Sequence, residues 1–126
     1  MPDFNMRNPA VVEYPLSSPR LWLNRGLAGY RLDAVPHLIE NSGKKWNDQP
    51  ESRALTKRIA DLIRSYPNRY VVCKATAKPI SYGRAEPCGG AFGYVHHFVK
   101  AAEGDAATYR LAAAGYLLQP GTPFIH

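Results

Sequence analysis

The sequence predicts an α/β fold in which about four parallel strands alternate with helices. Three observations carry that expectation. Tyr70 to Ala75 is an apolar, β-branched run of the kind a strand buried on both faces needs. Asp48 to Tyr66 places Leu55, Ile59, Leu62, Ile63 and Tyr66 on one apolar stripe at helical spacing. Around these two, strand-like and helix-like segments take turns, the pattern of βαβ units on a parallel sheet.

The elements follow in chain order. Asn8 before Pro9 is an N-cap with proline at the first helical position. Pro15 and Pro19 are expected to interrupt the helix that begins there. A short second helix then runs through Leu21, Trp22 and Leu23, with Trp22 read as a core residue, and Gly26 ends it. Tyr30 to Val35 reads as a strand, followed by a loop rich in Asn, Gly and Lys up to Asn47. In the Asp48–Tyr66 helix, Pro50 and Glu51 suit the first turn, and Pro67-Asn68 stops it. Ala77 to Gly90 is a loop punctuated by Pro79, Gly83 and Pro87. Ala91 to Val95 is a short third strand. Asp105 caps a helix from Ala106 to about Leu118, with Leu111 and Leu118 expected on its buried side. Pro123 to Ile125 is a final strand.

At 126 residues the chain is a single domain, and 45% apolar content with mixed charge marks it as folded. Its net charge of +6 comes from 16 basic and 10 acidic residues scattered along the chain. A nucleic-acid binder would gather its bases on one face with aromatics between them, so no nucleic-acid partner is expected. No apolar run approaches the roughly 20 residues of a membrane span. The start, Met1-Pro2-Asp3-Phe4-Asn5, lacks signal-peptide regions, and a cytoplasmic location is expected. Cys73 and Cys88 offer no metal spacing and no disulfide framework, so free thiols are the default. His96 and His97 are adjacent and point apart, with no third ligand spaced to complete a zinc site.

Residues two apart on a strand share a face, so Arg31 and Asp33 project together, with Val35 beyond them. A guanidinium beside a carboxylate favours the charged form. That arrangement suits an anionic nucleophile or a carboxylate that stabilises an oxocarbenium ion. An ordinary Arg–Asp pair at a strand end has the same spacing.

The segment Leu21 to Glu40, with Gly29-Tyr30-Arg31-Leu32-Asp33-Ala34-Val35-Pro36-His37 at its centre, resembles the surroundings of the fourth barrel strand in the α-amylase family of glycoside hydrolases. The likeness continues through the Asp48–Tyr66 helix into Arg69-Tyr70-Val71-Val72-Cys73, and Pro120 to Ile125 is similar to the approach to the eighth strand. The resemblance implies a partial (β/α) TIM barrel, since a complete one takes roughly 250 residues. It further implies an enzyme that acts on an α-glucan or α-glucoside by a retaining mechanism. Asp33 would be the nucleophile, Arg31 would orient it, and Tyr30 and His37 would contact substrate. No cofactor is expected beyond the calcium to which, in some members, the residue matching His37 lends its carbonyl.

Two departures from the family pattern stand out. Lys74 occupies the place of the glutamate that protonates the leaving glycosidic oxygen. An ammonium holds its proton too tightly to be a good acid at neutral pH and would instead salt-bridge Asp33. The rival is that burial beside Arg31 loosens that proton. The second departure is the lack of an Asn-His-Asp tripeptide, whose aspartate stabilises the transition state in the family. Glu40, Glu86 and Glu103 are candidate replacement acids, and their spacing selects none.

The alternative to an impaired enzyme is an inactive sugar-binding or self-associating barrel fragment. Trp22, Trp46 and Tyr94 are candidate sugar-stacking rings. An open part-barrel leaves strand edges unpaired, so a homo-oligomer is expected, with Val71, Val72 and Ile125 buried near the contact.

Overall fold

The computed structural model describes residues 4–75, 88, 91–92 and 103–118. Helix α1 (Pro9–Asn24) starts where the sequence indicates, with the Asn8 side chain accepting the Ala10 N–H at 3.0 Å. Pro15 and Pro19 do not break it; the helix runs through both for 16 residues. The prolines are four apart, so the two missing backbone donors fall on one side. Val12, Leu16, Pro19 and Leu23 are buried from this helix. Each large apolar side chain so buried contributes about 1.5–3 kcal/mol, enough to offset the lost hydrogen bonds. Gly26 ends the helix at φ +93°. Its N–H donates to the Leu23 carbonyl and that of Leu27 to Trp22, at 3.0 and 3.1 Å, the paired bonds of a glycine-closed helix end. Trp22 is not core: it is 48% exposed, with the Arg25 guanidinium 5.3 Å from its ring centre.

Strand β1 (Gly29–Leu32) pairs in parallel with β2 (Tyr70–Lys74), and β2 with β3 (Ala91–Phe92). The order β1-β2-β3 makes a sheet of three strands. The fourth expected strand, Pro123 to Ile125, and the remainder of the third, Gly93 to Val95, lie outside the described residues. So do Tyr94, His96, His97 and most of the 77–90 loop. Helix α2 (Pro50–Arg64) matches the expected stripe: Leu55, Ile59 and Ile63 are buried, while Leu62 and Tyr66 pack at the margin. These residues meet Val12, Leu16 and Val71 in the main core between the helices and the sheet. Val71 and Val72 are 2% and 4% exposed under the chain's own residues, so they are not available to line a contact between copies.

The stripe reading missed Ser52 and Thr56, both fully buried on α2. The Ser52 hydroxyl accepts the Ile39 N–H at 2.9 Å and donates to the Ile39 carbonyl at 3.2 Å. Thr56 donates to the Ser52 carbonyl at 2.7 Å. Both buried hydroxyls are thereby satisfied, and the segment after β1 is clipped to the first turn of α2.

Helix α3 (Ala106–Leu117) is capped by Asp105, whose carboxylate accepts the Thr108 N–H at 2.7 Å. That hydrogen bond holds the carboxyl below its ordinary range. Leu111 and Leu118, expected to be buried, are 75% and 84% exposed. Alanines and leucines are spread around α3 rather than gathered on one stripe, so the sequence does not commit a single face inward. Among the described residues no helix is long and apolar enough to cross a membrane.

Candidate active site

Parallel pairing brings the C-terminal ends of β1 and β2 to the same edge of the sheet, and the candidate residues gather there. The register sets Leu32 against Cys73, so Asp33 and Lys74 are the next residues along the two neighbouring strands. The expected strand Tyr30–Val35 stops at Leu32. Asp33 follows it, Ala34 adopts a left-handed φ of 49°, and Val35–His37 form a 3-10 turn closed by the His37 N–H on the Ala34 carbonyl at 2.9 Å. Pro36 cannot donate to a ladder, and Val35 turns inward to 1% exposure. Val35 therefore does not line up behind Arg31 and Asp33. A left-handed alanine costs roughly 1–2 kcal/mol, and that strain sits directly beside the carboxylate.

Arg31 and Asp33 do meet. Arg31 Nη2 lies 3.1 Å from Asp33 Oδ1, and Lys74 Nζ lies 3.5 Å from the same oxygen. The three side chains are 44%, 57% and 37% exposed. Exposed pairs of this kind contribute at most about 1 kcal/mol each, so their importance is positional. Lys74 does not have the dry surroundings that the acid-catalyst rival requires. Glu40 and Glu103 are exposed and make no ion pair with Asp33, and Glu86 lies outside the described residues.

The other two candidates stand apart. Tyr30 packs against the helix-side core, and its hydroxyl donates to the Pro19 carbonyl at 3.4 Å. Burial pushes its phenol pKa up. Strand alternation sets it on the opposite face from Arg31, so the structure does not bring it to Asp33. His37 is half-buried, and its ring stacks on Trp46 with centres 5.1 Å apart and planes 11° apart. A calcium ion takes 6–8 oxygen ligands, and among the described residues no three His, Cys, Asp or Glu side chains converge.

Beside Asp33 lies an open cavity of about 690 Å³. Arg31, Leu32 and Asp33 line one side, and Phe4, Tyr14 and Pro15 are among the apolar residues lining the rest. The volume falls in the range of small-molecule sites, roughly 300–1,000 Å³.

Behind the ion cluster, Cys73 and Cys88 form a disulfide, which corrects the expectation of free thiols. Their Cα atoms are 5.9 Å apart, and both residues are fully buried with Val35 and Ala75. Spacing along the chain gives no sign of this bond. Only the folded sheet brings the end of β2 to the residue at 88.

Residues 1–115 match the family described as "Alpha amylase, catalytic domain". The chain belongs to the α-amylase family. Trehalose synthase/amylase TreS of Mycolicibacterium smegmatis is 43% identical to this α-amylase-family chain over 79 residues, 62% of the chain and 13% of that protein. A salivary α-glucosidase of Aedes aegypti is 50% identical over 54 residues, 41% of the chain and 9% of that protein. The α-amylase-family chain thus spans only a small part of the length of these relatives. A solved structure titled "Family GH13_31 enzyme" superposes with a TM-score of 0.77 at 19% identity, covering 94% of this chain and 27% of that one. That last likeness is one of fold, an α/β fold of TIM-barrel type.

Proposed function

We propose that this chain carries part of the active site of an α-amylase-type glycoside hydrolase or transglucosidase that acts on α-linked glucosides, with impaired turnover. The observation that carries the reading is the Asp33 carboxylate, held by Arg31 at 3.1 Å at the C-terminal end of a parallel strand. That edge is where barrel enzymes keep their chemistry. Asp33 would attack the anomeric carbon to form a glycosyl-enzyme, which water or an acceptor sugar then resolves with retention. Arg31 would fix the direction of the carboxylate. His37 would lie at the margin of the site.

Impairment follows from Lys74. Its ammonium lies 3.5 Å from Asp33 Oδ1, where it pairs with the nucleophile instead of protonating a leaving group. A positioned general acid is worth roughly 10²–10⁴ in rate. Reducing-sugar release from maltose and starch, with the product anomer followed by NMR, checks the reading. Turnover is expected to be little or none, and whatever is present should retain configuration and vanish in Asp33→Ala. Robust turnover that survives Asp33→Ala would remove Asp33 from the role.

A second reading, a self-associating module, is favoured by the position of β1 at the edge of the described sheet and by the exposure of Leu111 and Leu118. Unpaired edges and open apolar faces pair with other copies. Light scattering is expected to report a dimer or larger species, and a monomer across a wide concentration range would end this reading.

A further inference from the structure

One side of helix α1 forms a wall of the cavity beside Asp33. Val11, Tyr14, Pro15, Ser18 and Pro19 line it, and residues so spaced are a single helical stripe. The side chains of that stripe are mostly apolar, but its backbone is not fully paired. In an α-helix the carbonyl of residue i accepts the N–H of residue i+4, and a proline has no N–H. Pro15 therefore leaves the Val11 carbonyl without its helical donor, and Pro19 does the same to the Pro15 carbonyl. Each carbonyl is directed along the helix toward the proline four residues on, and both prolines belong to the cavity wall. The wall thus holds two backbone acceptors and the Ser18 hydroxyl in apolar surroundings. Arg31 and Asp33 line the same cavity from the end of β1. The cavity is open, so water serves the two carbonyls. A ligand that displaces this water has to return a hydrogen bond to them.

We propose that this cavity holds the aglycone of the substrate and selects an aromatic ring that carries a hydroxyl group. The ring lies against Val11, Tyr14 and Pro15, where apolar and aromatic surfaces match it. Its O–H donates to the Val11 carbonyl, in place of the N–H that Pro15 lacks. The glucosyl unit stays at Asp33. A second glucose unit suits the cavity less well. Hydroxyls surround its whole rim, and several of them would give up water for apolar side chains. An aromatic ring without a hydroxyl would fill the cavity but leave the carbonyl unserved. The inference rests on the α-glucoside reading above, and it names the class of glucoside: one with a hydroxyaryl aglycone.

The test titrates the full chain with p-hydroxyphenyl α-glucoside, phenyl α-glucoside and maltose, with binding followed by NMR. The hydroxyaryl glucoside is expected to bind about fivefold more tightly than the phenyl one, the worth of one neutral hydrogen bond. Both are expected to bind more tightly than maltose. Pro15→Ala is the decisive variant. The alanine N–H closes the helical bond to the Val11 carbonyl, and alanine favours the helix, so the chain folds. In this variant the advantage of the hydroxyl is expected to fall below about twofold. Tyr14→Ala is expected to weaken both aryl glucosides by the same factor, about threefold. Circular dichroism confirms that the variants fold. If the two aryl glucosides bind the natural chain equally, if they bind no more tightly than maltose, or if the preference survives Pro15→Ala, the proposal is overturned and the α-glucoside reading stands. If none of the three binds, the α-glucoside reading falls and takes the proposal with it.

Discussion

In Gly29→Ala, β1 is expected to lose its pairing with β2. A Cβ built at Gly29 falls 2.1 Å from the Tyr70 carbonyl oxygen and 2.9 Å from the Tyr70 carbonyl carbon and amide nitrogen. Every obstacle is backbone, so no side chain can rotate away. Gly29 and Tyr70 are the first pair of the parallel ladder, and the clash acts on the register that sets Asp33 beside Lys74. Overpacking usually costs about 1–3 kcal/mol and more where nothing yields; about 3 kcal/mol or above is expected here. Against the roughly 5–15 kcal/mol that stabilises a domain, such a loss is large. Urea denaturation measures it, with Gly26→Ala as the comparator. At Gly26 a Cβ meets nothing within 4 Å, and only the φ of +93° penalises alanine. An unchanged midpoint in Gly29→Ala would mean that the two strands do not pair in this register.

Lys74→Glu is expected to raise hydrolysis only modestly, by less than about tenfold on maltose, although a general acid is worth roughly 10²–10⁴. The substitution removes the ammonium 3.5 Å from Asp33 Oδ1 and puts a carboxyl group in its place. A carboxyl group can give up a proton to a leaving oxygen, which the ammonium does poorly. Arg31 remains beside Asp33 to orient it. The gain is capped because the sequence has no Asn-His-Asp tripeptide to supply the third carboxylate of the family pattern. Comparison of maltose with an aryl α-glucoside, whose leaving group departs without a proton, separates the two deficits. Full recovery on maltose would show that another carboxylate already does the third job.

Much of the fold is legible from periodicity. The stripe of α2, the buried run of β2 and the caps at Asn8 and Asp105 are local signals, and local physics decides them. The prolines of α1 misled because a helix-breaking propensity of single residues was outweighed by the burial of Val12, Leu16 and Leu23 across the whole helix. Leu111 and Leu118 misled because an apolar pair seven residues apart says nothing about whether a partner surface covers it. At the site, Arg31 and Asp33 were readable from strand spacing even though the strand ends at Leu32, since the side chains still meet. Lys74 beside Asp33 required the pairing of β1 with β2, which resemblance supplied and composition alone did not. The Ser52 clip and the His37–Trp46 stack join segments whose closeness no one-dimensional pattern encodes.

The bond between Cys73 and Cys88 makes the surrounding redox medium part of this protein's covalent structure. It closes a loop with a sequence separation of 15, and a loop of that size is tied at an entropic gain of about 3 kcal/mol in the chain-entropy account. Glutathione keeps such bonds open in the cytoplasm, while they persist in oxidising compartments. Whether the staple persists in a given compartment is set by its own reduction potential against the poise of that compartment. In reducing surroundings the end of β2, one residue from Lys74, would be held by its ladders to β1 and β3 and by packing around Val35 and Ala75, without the covalent tie to residue 88. The same polypeptide would then exist as two species of different topology, one a simple thread and one a thread with a closed ring at the edge of its candidate active site.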